Sequence, residues 1–94
     1  GPNALNQAAA DGDEEEVRRL LEQGASVEGI LDDRQTPLQF AAQEGHTRIV
    51  QLLIEYGADI NALGYNGSAL ETPLQAAAVS DRIAIARLLL DRGA

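Results

Sequence analysis

The tetrapeptide Thr36-Pro37-Leu38-Gln39 recurs as Thr72-Pro73-Leu74-Gln75, 36 residues later. The likeness extends far beyond four letters. Residues 38–58, LQFAAQEGHTRIVQLLIEYGA, align without a gap on residues 74–94, LQAAAVSDRIAIARLLLDRGA. A third copy, LNQAAADGDEEEVRRLLEQGA, fills residues 5–25, 33 residues before the middle one. Leu5, Leu38 and Leu74 coincide, as do Leu20, Leu53 and Leu89, and the glycines Gly24, Gly57 and Gly93. A chain written three times over in 94 residues leaves each unit too short to bury its own apolar side. The units must stack and bury one another's.

The composition agrees with thin, closely packed layers. Hydrophobic residues make up 45% of the chain, but only two Tyr and one Phe supply aromatic bulk, and there is no Trp. The core must come from Ala, Leu, Ile and Val. With no cysteine, no disulfide can staple so small a domain. Lack of cysteine also fits a reducing compartment, so the expected location is intracellular, in cytoplasm or nucleus. No apolar run approaches the roughly 20 residues of a membrane span. Gly1-Pro2 reads as a cleavage scar.

Each unit reads as a short helix, a break and a longer helix. Thr36 suits an N-cap and Pro37 the first helical position, where no N–H is needed. Gly45 supplies a left-handed stop. A second helix opens at His46-Thr47. Its Ile49, Val50, Leu52, Leu53 and Ile54 span too wide an arc to pack against one neighbour. In the first unit Asn3, Gly12, Asp13 and Gly24 serve as cap, break, second cap and stop. The third unit places Asp81 where the break glycine belongs, and Asp tolerates a left-handed backbone less well than Gly. The connectors 25–35 and 58–71 differ by three residues, and Gly64-Tyr65-Asn66-Gly67 predicts a protruding hairpin.

Residues 36–62, TPLQFAAQEGHTRIVQLLIEYGADINA, closely resemble an ankyrin repeat. The resemblance covers nearly all of residues 3–94. It joins the period near 33 with TPL, paired alanines, a break glycine, LL and GAD-x-N at fixed offsets. It implies an all-α solenoid of stacked helix-turn-helix units with β-hairpin-like loops, divided at 3–31, 32–64 and 65–94. Three departures stand out. The His that usually follows TPL is Gln39, Gln75 or Asn6. Arg34 replaces a hairpin glycine. The second hairpin carries the extra residues. The first two weaken the hydrogen bonding expected around the loops.

The outer units differ. The second helix of unit one carries Glu14, Glu15, Glu16, Arg18 and Arg19, leaving Val17, Leu20 and Leu21 to pack, as a terminal cap should. The second helix of unit three, Ile83 to Leu90, reads like an internal one. The expectation is a fragment of a longer array, or a face covered by another chain, self-association included.

Catalysis finds little support. His46 is the sole histidine, so no histidine pair exists for metal or acid–base work, and its place after Gly45 fits a structural role. The acidic run Asp11 to Glu16 lacks the spacing of a calcium loop and fits a solvated helix start. Ser26, Ser68 and Ser80 have no nucleophile-elbow context. Gly64 to Gly67 lacks the Lys-Ser/Thr of a phosphate loop. Neither an enzyme nor a cofactor is expected. Phe40 and Tyr56 are expected between helices. Tyr65, at a hairpin tip, is as much a candidate for partner contact as for packing.

The resemblance implies partner binding through hairpin tips and the inner surface of the first helices. By position these are Ile30, Asp32, Asp33, Gln35, Tyr65, Asn66 and Glu71 on the hairpins, and Asp11, Gln43, Glu44 and Ser80 on the helices. The surface is acidic, in a chain of fifteen acids, seven Arg and no Lys, with net charge −8. A partner protein with a basic patch fits, whereas nucleic acid and anionic membranes are repelled. The alternatives are a structural spacer within a larger protein and, less favoured, a small-ligand receptor. Asn61, with Leu53 eight residues before it and Asp59 two before, also resembles the pattern of hydroxylated ankyrin asparagines. A side chain that satisfies loop backbone is the preferred reading there.

Overall fold

The computed structural model describes residues 4–29, 35–66 (Asn66 by its backbone only) and 69–94. The expected caps at Asn3 and Arg34's place in its hairpin therefore lie outside the described residues. Among the described residues six helices run in three pairs: α1 (Ala4–Asp11) with α2 (Glu14–Glu22), α3 (Pro37–Glu44) with α4 (Thr47–Glu55), and α5 (Pro73–Val79) with α6 (Ile83–Asp91). Strands β1 (Gly64–Asn66) and β2 (Ala69–Glu71) form an antiparallel hairpin between the second and third pairs. Its register sets Gly64 opposite Glu71, Tyr65 opposite Leu70 and Asn66 opposite Ala69.

Local chemistry sets the helix boundaries. Thr36 and Thr72 have extended backbones, and their side chains accept from the N–H groups of Gln39 and Gln75, with proline at the next position in both. At Thr72 the bond is reciprocated, because Gln75 Oε1 accepts from the Thr72 N–H at 2.9 Å. Gln39 is diverted: its Nε2 donates instead to the Gly64 carbonyl at 3.3 Å. Asn6, at the same position of unit one, donates to the Gln35 carbonyl at 3.0 Å. Two of the three amides that replace the family histidine, Asn6 and Gln39, thus tie their helices to the connector that follows, while their amide oxygens are buried with no hydrogen-bond partner among the described residues.

The three units superpose bond for bond. Asp13, His46 and Arg82 donate their N–H groups to Ala8, Ala41 and Ala77, at 3.0, 2.9 and 2.8 Å. Ala25, Ala58 and Ala94 donate to Leu20, Leu53 and Leu89 at 3.0, 3.0 and 2.9 Å. The first set closes over a left-handed residue: Gly12 at φ 79°, Gly45 at φ 84° and Asp81 at φ 59°. Asp81 is the one non-glycine with positive φ among the described residues. Gly45→Ala is expected to lose about 1–2 kcal/mol, from the left-handed penalty of an L-residue. A Cβ there would also sit 2.9 Å from the Arg82 guanidinium carbon. Asp81→Gly should instead gain about 0.5 kcal/mol, because strain at the same turn is relieved. Urea unfolding of both variants checks the pair, and equal losses at both positions would deny that the turns are equivalent.

Layered stacking builds the core. First helices pack in the row α1–α3–α5 and second helices in the row α2–α4–α6. Leu38, Ala41, Ala42, Val50, Leu53, Ala77 and Leu89 have no exposed surface, and Ile49 and Ile85 have almost none. Leu20 is partly buried against this cluster, while its neighbour Leu21 is buried. As the wide apolar arc of α4 requires, it is packed from three sides, by α3, α2 and α6. Tyr56 corrects one expectation. It follows α4 as the C-cap and is 43% exposed, because the helix ends before its ring can turn inward. Phe40 is partly buried against the core.

Two side chains stitch the layers together. The His46 ring reaches back beneath the first turn, and its Nε2 lies 3.1 Å from the Ala10 carbonyl. Arg82 Nε donates to the Gln43 carbonyl at 3.2 Å. Ala10 and Gln43 hold equivalent positions, as do His46 and Arg82, so one link occurs at both junctions. These carbonyls end helices and lack helical donors. His46 thus satisfies backbone, in line with its structural reading.

Candidate functional site

The ends of the first helices carry one side of the surface. Asp11, Glu44 and Ser80 occupy equivalent positions of the three units. Asp11 and Glu44 are the last residues of α1 and α3, both exposed, and Ser80 caps α5. Asp11 accepts from Gln7 Nε2 at 3.0 Å. Gln43 Nε2 donates to Glu44 at 3.3 Å. Two carboxylates therefore sit at the negative ends of helix dipoles, where acids are disfavoured and cations favoured. Packing α1 against α3 and α3 against α5 sets these ends in a row.

Gln35 is placed beneath this surface. It is 8% exposed, and its Nε2 donates to Gln43 Oε1 at 2.8 Å. Together Gln35, Gln43 and Glu44 form a polar chain laid along α3. Gln35 anchors that chain, and Gln43 and Glu44 present it.

The hairpin carries the other side. Tyr65 is 40% exposed and Leu70, directly across from it, is 51% exposed. Leu63, two residues ahead of Tyr65, is 58% exposed. Sequence reasoning missed Leu63 and Leu70. Alternation around the turn marks them only once the register is known. Glu71 is partly buried opposite Gly64. Asn66 ends β1, with only its backbone described. Ile30, Asp32 and Asp33 lie outside the described residues. Asn61 is exposed, and its N–H donates to Asp59 Oδ1 at 3.0 Å in a side-chain-closed turn.

The opposite side of the molecule has a different character. On α2, Arg18 pairs with Glu14 at 3.0 Å, and Arg19 Nε donates to Glu16 at 2.7 Å. The Arg19 hydrogen bond holds the Glu16 carboxyl below its ordinary value, and the same bond raises Arg19. A lowered carboxyl adds stability above its unfolded value and loses it as pH falls through the folded one. Glu14 and Glu16 are paired there, while Glu15 and Glu22 leave α2 net acidic. Among the described residues no group of three or more His, Cys, Asp or Glu could hold a metal ion. Among the same residues no helix is long and apolar enough to cross a membrane.

Three helix-turn-helix layers, one hairpin and the repeated links leave one decisive comparison. Residues 5–94 match the family described as ankyrin repeats, in three copies.

The chain belongs to the ankyrin repeat family.

It is 38% identical over 89 residues to the inactive serine/threonine-protein kinase TEX14 of Bos taurus, covering 95% of this chain and 6% of that protein. It is 37% identical over 95 residues to a putative ankyrin repeat-containing protein of Treponema pallidum (strain Nichols), covering 100% and 31%. To the ARF GTPase-activating protein Git of Drosophila melanogaster it is 42% identical over 74 residues, covering 78% and 10%. The chain thus spans less than a third of the length of each of these curated relatives. Ankyrin repeats are generally protein–protein interaction modules, typically without catalytic activity of their own.

Proposed function

We propose that this ankyrin domain binds a partner protein that presents Lys or Arg around a large apolar residue. The observation that supports this reading is a pair of exposed features. Asp11 and Glu44, which have no ion-pair partner among the described residues, stand at helix C-termini, and the exposed Tyr65–Leu70 pair stands on the hairpin. A cation placed at the helix ends relieves an unfavourable charge–dipole arrangement. The Tyr65–Leu70 pair supplies an apolar anchor of the kind that dominates interface energies.

Selection of random peptides on the immobilised domain tests the reading. Enriched sequences should combine basic residues with one aromatic or large aliphatic residue. The double reversal Asp11→Lys/Glu44→Lys should weaken their binding about tenfold or more, and added salt should weaken it further. Selected peptides that are uncharged, or that bind the reversal variant equally well, would refute the assignment.

A further inference from the structure

Gly64 is buried at the root of the hairpin, one residue before the exposed Tyr65. It opens strand β1 and lies outside the left-handed region that Gly12, Gly24, Gly29, Gly45, Gly57 and Gly93 occupy. Only space therefore calls for glycine there. A Cβ on Gly64 would overlap the side-chain oxygen of Gln39 and stand 3.0 Å from the Cα of Gln35. The Nε2 of Gln39 donates to the carbonyl of the same glycine at 3.3 Å. One amide thus grips one residue twice, with its nitrogen on the carbonyl and its oxygen against the bare Cα.

This grip lowers stability as well as adding to it. Gln39 has no exposed surface, and its oxygen has no hydrogen-bond partner among the described residues. An apolar side chain of similar length would fill the same space without burying an unpaired oxygen. What the amide alone supplies is a donor for Gly64. Asn6 is used alike in unit one: its Nδ2 donates to the Gln35 carbonyl and its oxygen lies against Gly29. There, however, a φ of 69° already requires glycine. Gly64 has no second reason to be bare.

Gln39 also stands on the helix that carries an acidic end of the surface. Gln43 and Glu44 follow it on α3. Gln35, whose Cα closes over the other side of Gly64, donates to Gln43 at 2.8 Å. A helix is stiff, so a hairpin root clamped to α3 keeps a fixed separation from Glu44.

We infer that Gln39 is a positioning residue for partner binding: by clamping Gly64 to α3 it holds the Tyr65–Leu70 anchor in place relative to Glu44. The role rests on the binding surface proposed above, and Gln39, being buried, touches no partner itself. A hairpin freed from the clamp occupies its binding position only part of the time, and the apparent affinity falls by that fraction.

Gln39→Met and Gly64→Ala break the clamp from its two sides. Magnetic resonance relaxation reads it first, with no peptide present. Backbone order parameters at Tyr65 and Leu70 should lie near about 0.85 in the parent and fall below about 0.6 in both variants, with Leu53 unchanged. Titration then reads the consequence. A basic peptide selected on the domain should bind each variant about tenfold more weakly, and the double variant little worse than either, because both changes remove one contact. Hairpin order kept in both variants would overturn the inference. So would order lost equally at Leu53, or lost hairpin order with affinity intact for a peptide that Tyr65→Ala weakens. A peptide indifferent to Tyr65→Ala would count against the binding surface instead, and the order parameters would still decide the clamp.

Discussion

Leu53→Ala should remove about 3–5 kcal/mol of folding stability. Leu53 has no exposed surface and lies in the central layer, with packed units on both sides. Neither side can collapse into the space without breaking its own contacts, so the cavity term adds to the lost transfer energy. A domain of this size holds about 5–9 kcal/mol in all, at roughly 0.05–0.1 kcal/mol per residue. At the middle of both ranges about 3 of 7 kcal/mol remains, so the variant should stay folded in buffer with a urea midpoint near half the original. Leu90→Ala is the matched control. The same chemical change on the face 55% exposed should cost less than about 1 kcal/mol. Similar losses at the two positions would mean that the layers do not stack as described.

The second large effect concerns binding. Tyr65→Ala should weaken the selected peptides about 30-fold, close to 2 kcal/mol, which is the scale of an aromatic hot spot. Folding should barely change, because the ring is 40% exposed and belongs to a two-stranded hairpin outside the core. Isothermal titration of the peptide gives the first quantity and urea unfolding the second. Leu70→Ala should follow in the same direction, and the pair should be non-additive because the two side chains face each other across the strands. Unaltered affinity with Tyr65→Ala would leave the hairpin as scaffold only.

The sequence made the architecture legible because the repeat writes its geometry as spacing. Thr-Pro at each helix start, a left-handed break and the aliphatic run of α4 each demand a local structure whatever surrounds them. The left-handed turn at Asp81 was readable for that reason: its position in the repeat dictated its backbone despite its side chain. Tyr56 was less legible. Its burial depends on where α4 ends, and one residue's rotation at a helix terminus turns a side chain from core to water. Gln39 and Asn6 were legible only in outline. Each amide nitrogen reaches a connector carbonyl, while each amide oxygen is buried with no hydrogen-bond partner among the described residues, and only three-dimensional distance shows which half of the amide is satisfied.

The surface was legible in part. Asp11 and Glu44 could be placed at helix ends by offset alone, and their exposure followed from the polar face they share. Gln35 could not be separated from the contact residues, because its burial arises from a bond to Gln43 eight residues away. Leu63 and Leu70 gave no signal of their own. Exposed leucines become conspicuous only when strand pairing places one of them against Tyr65.

The binding account is tested most directly by following backbone amide signals of the domain in a magnetic resonance titration with a selected basic peptide. It predicts that the largest shifts fall on Tyr65, Leu70, Gln43, Glu44 and Asp11, while Arg18, Arg19 and Glu16 on α2 stay still. Shifts centred on α2 and α4, with the hairpin and the ends of α1 and α3 unmoved, would contradict it.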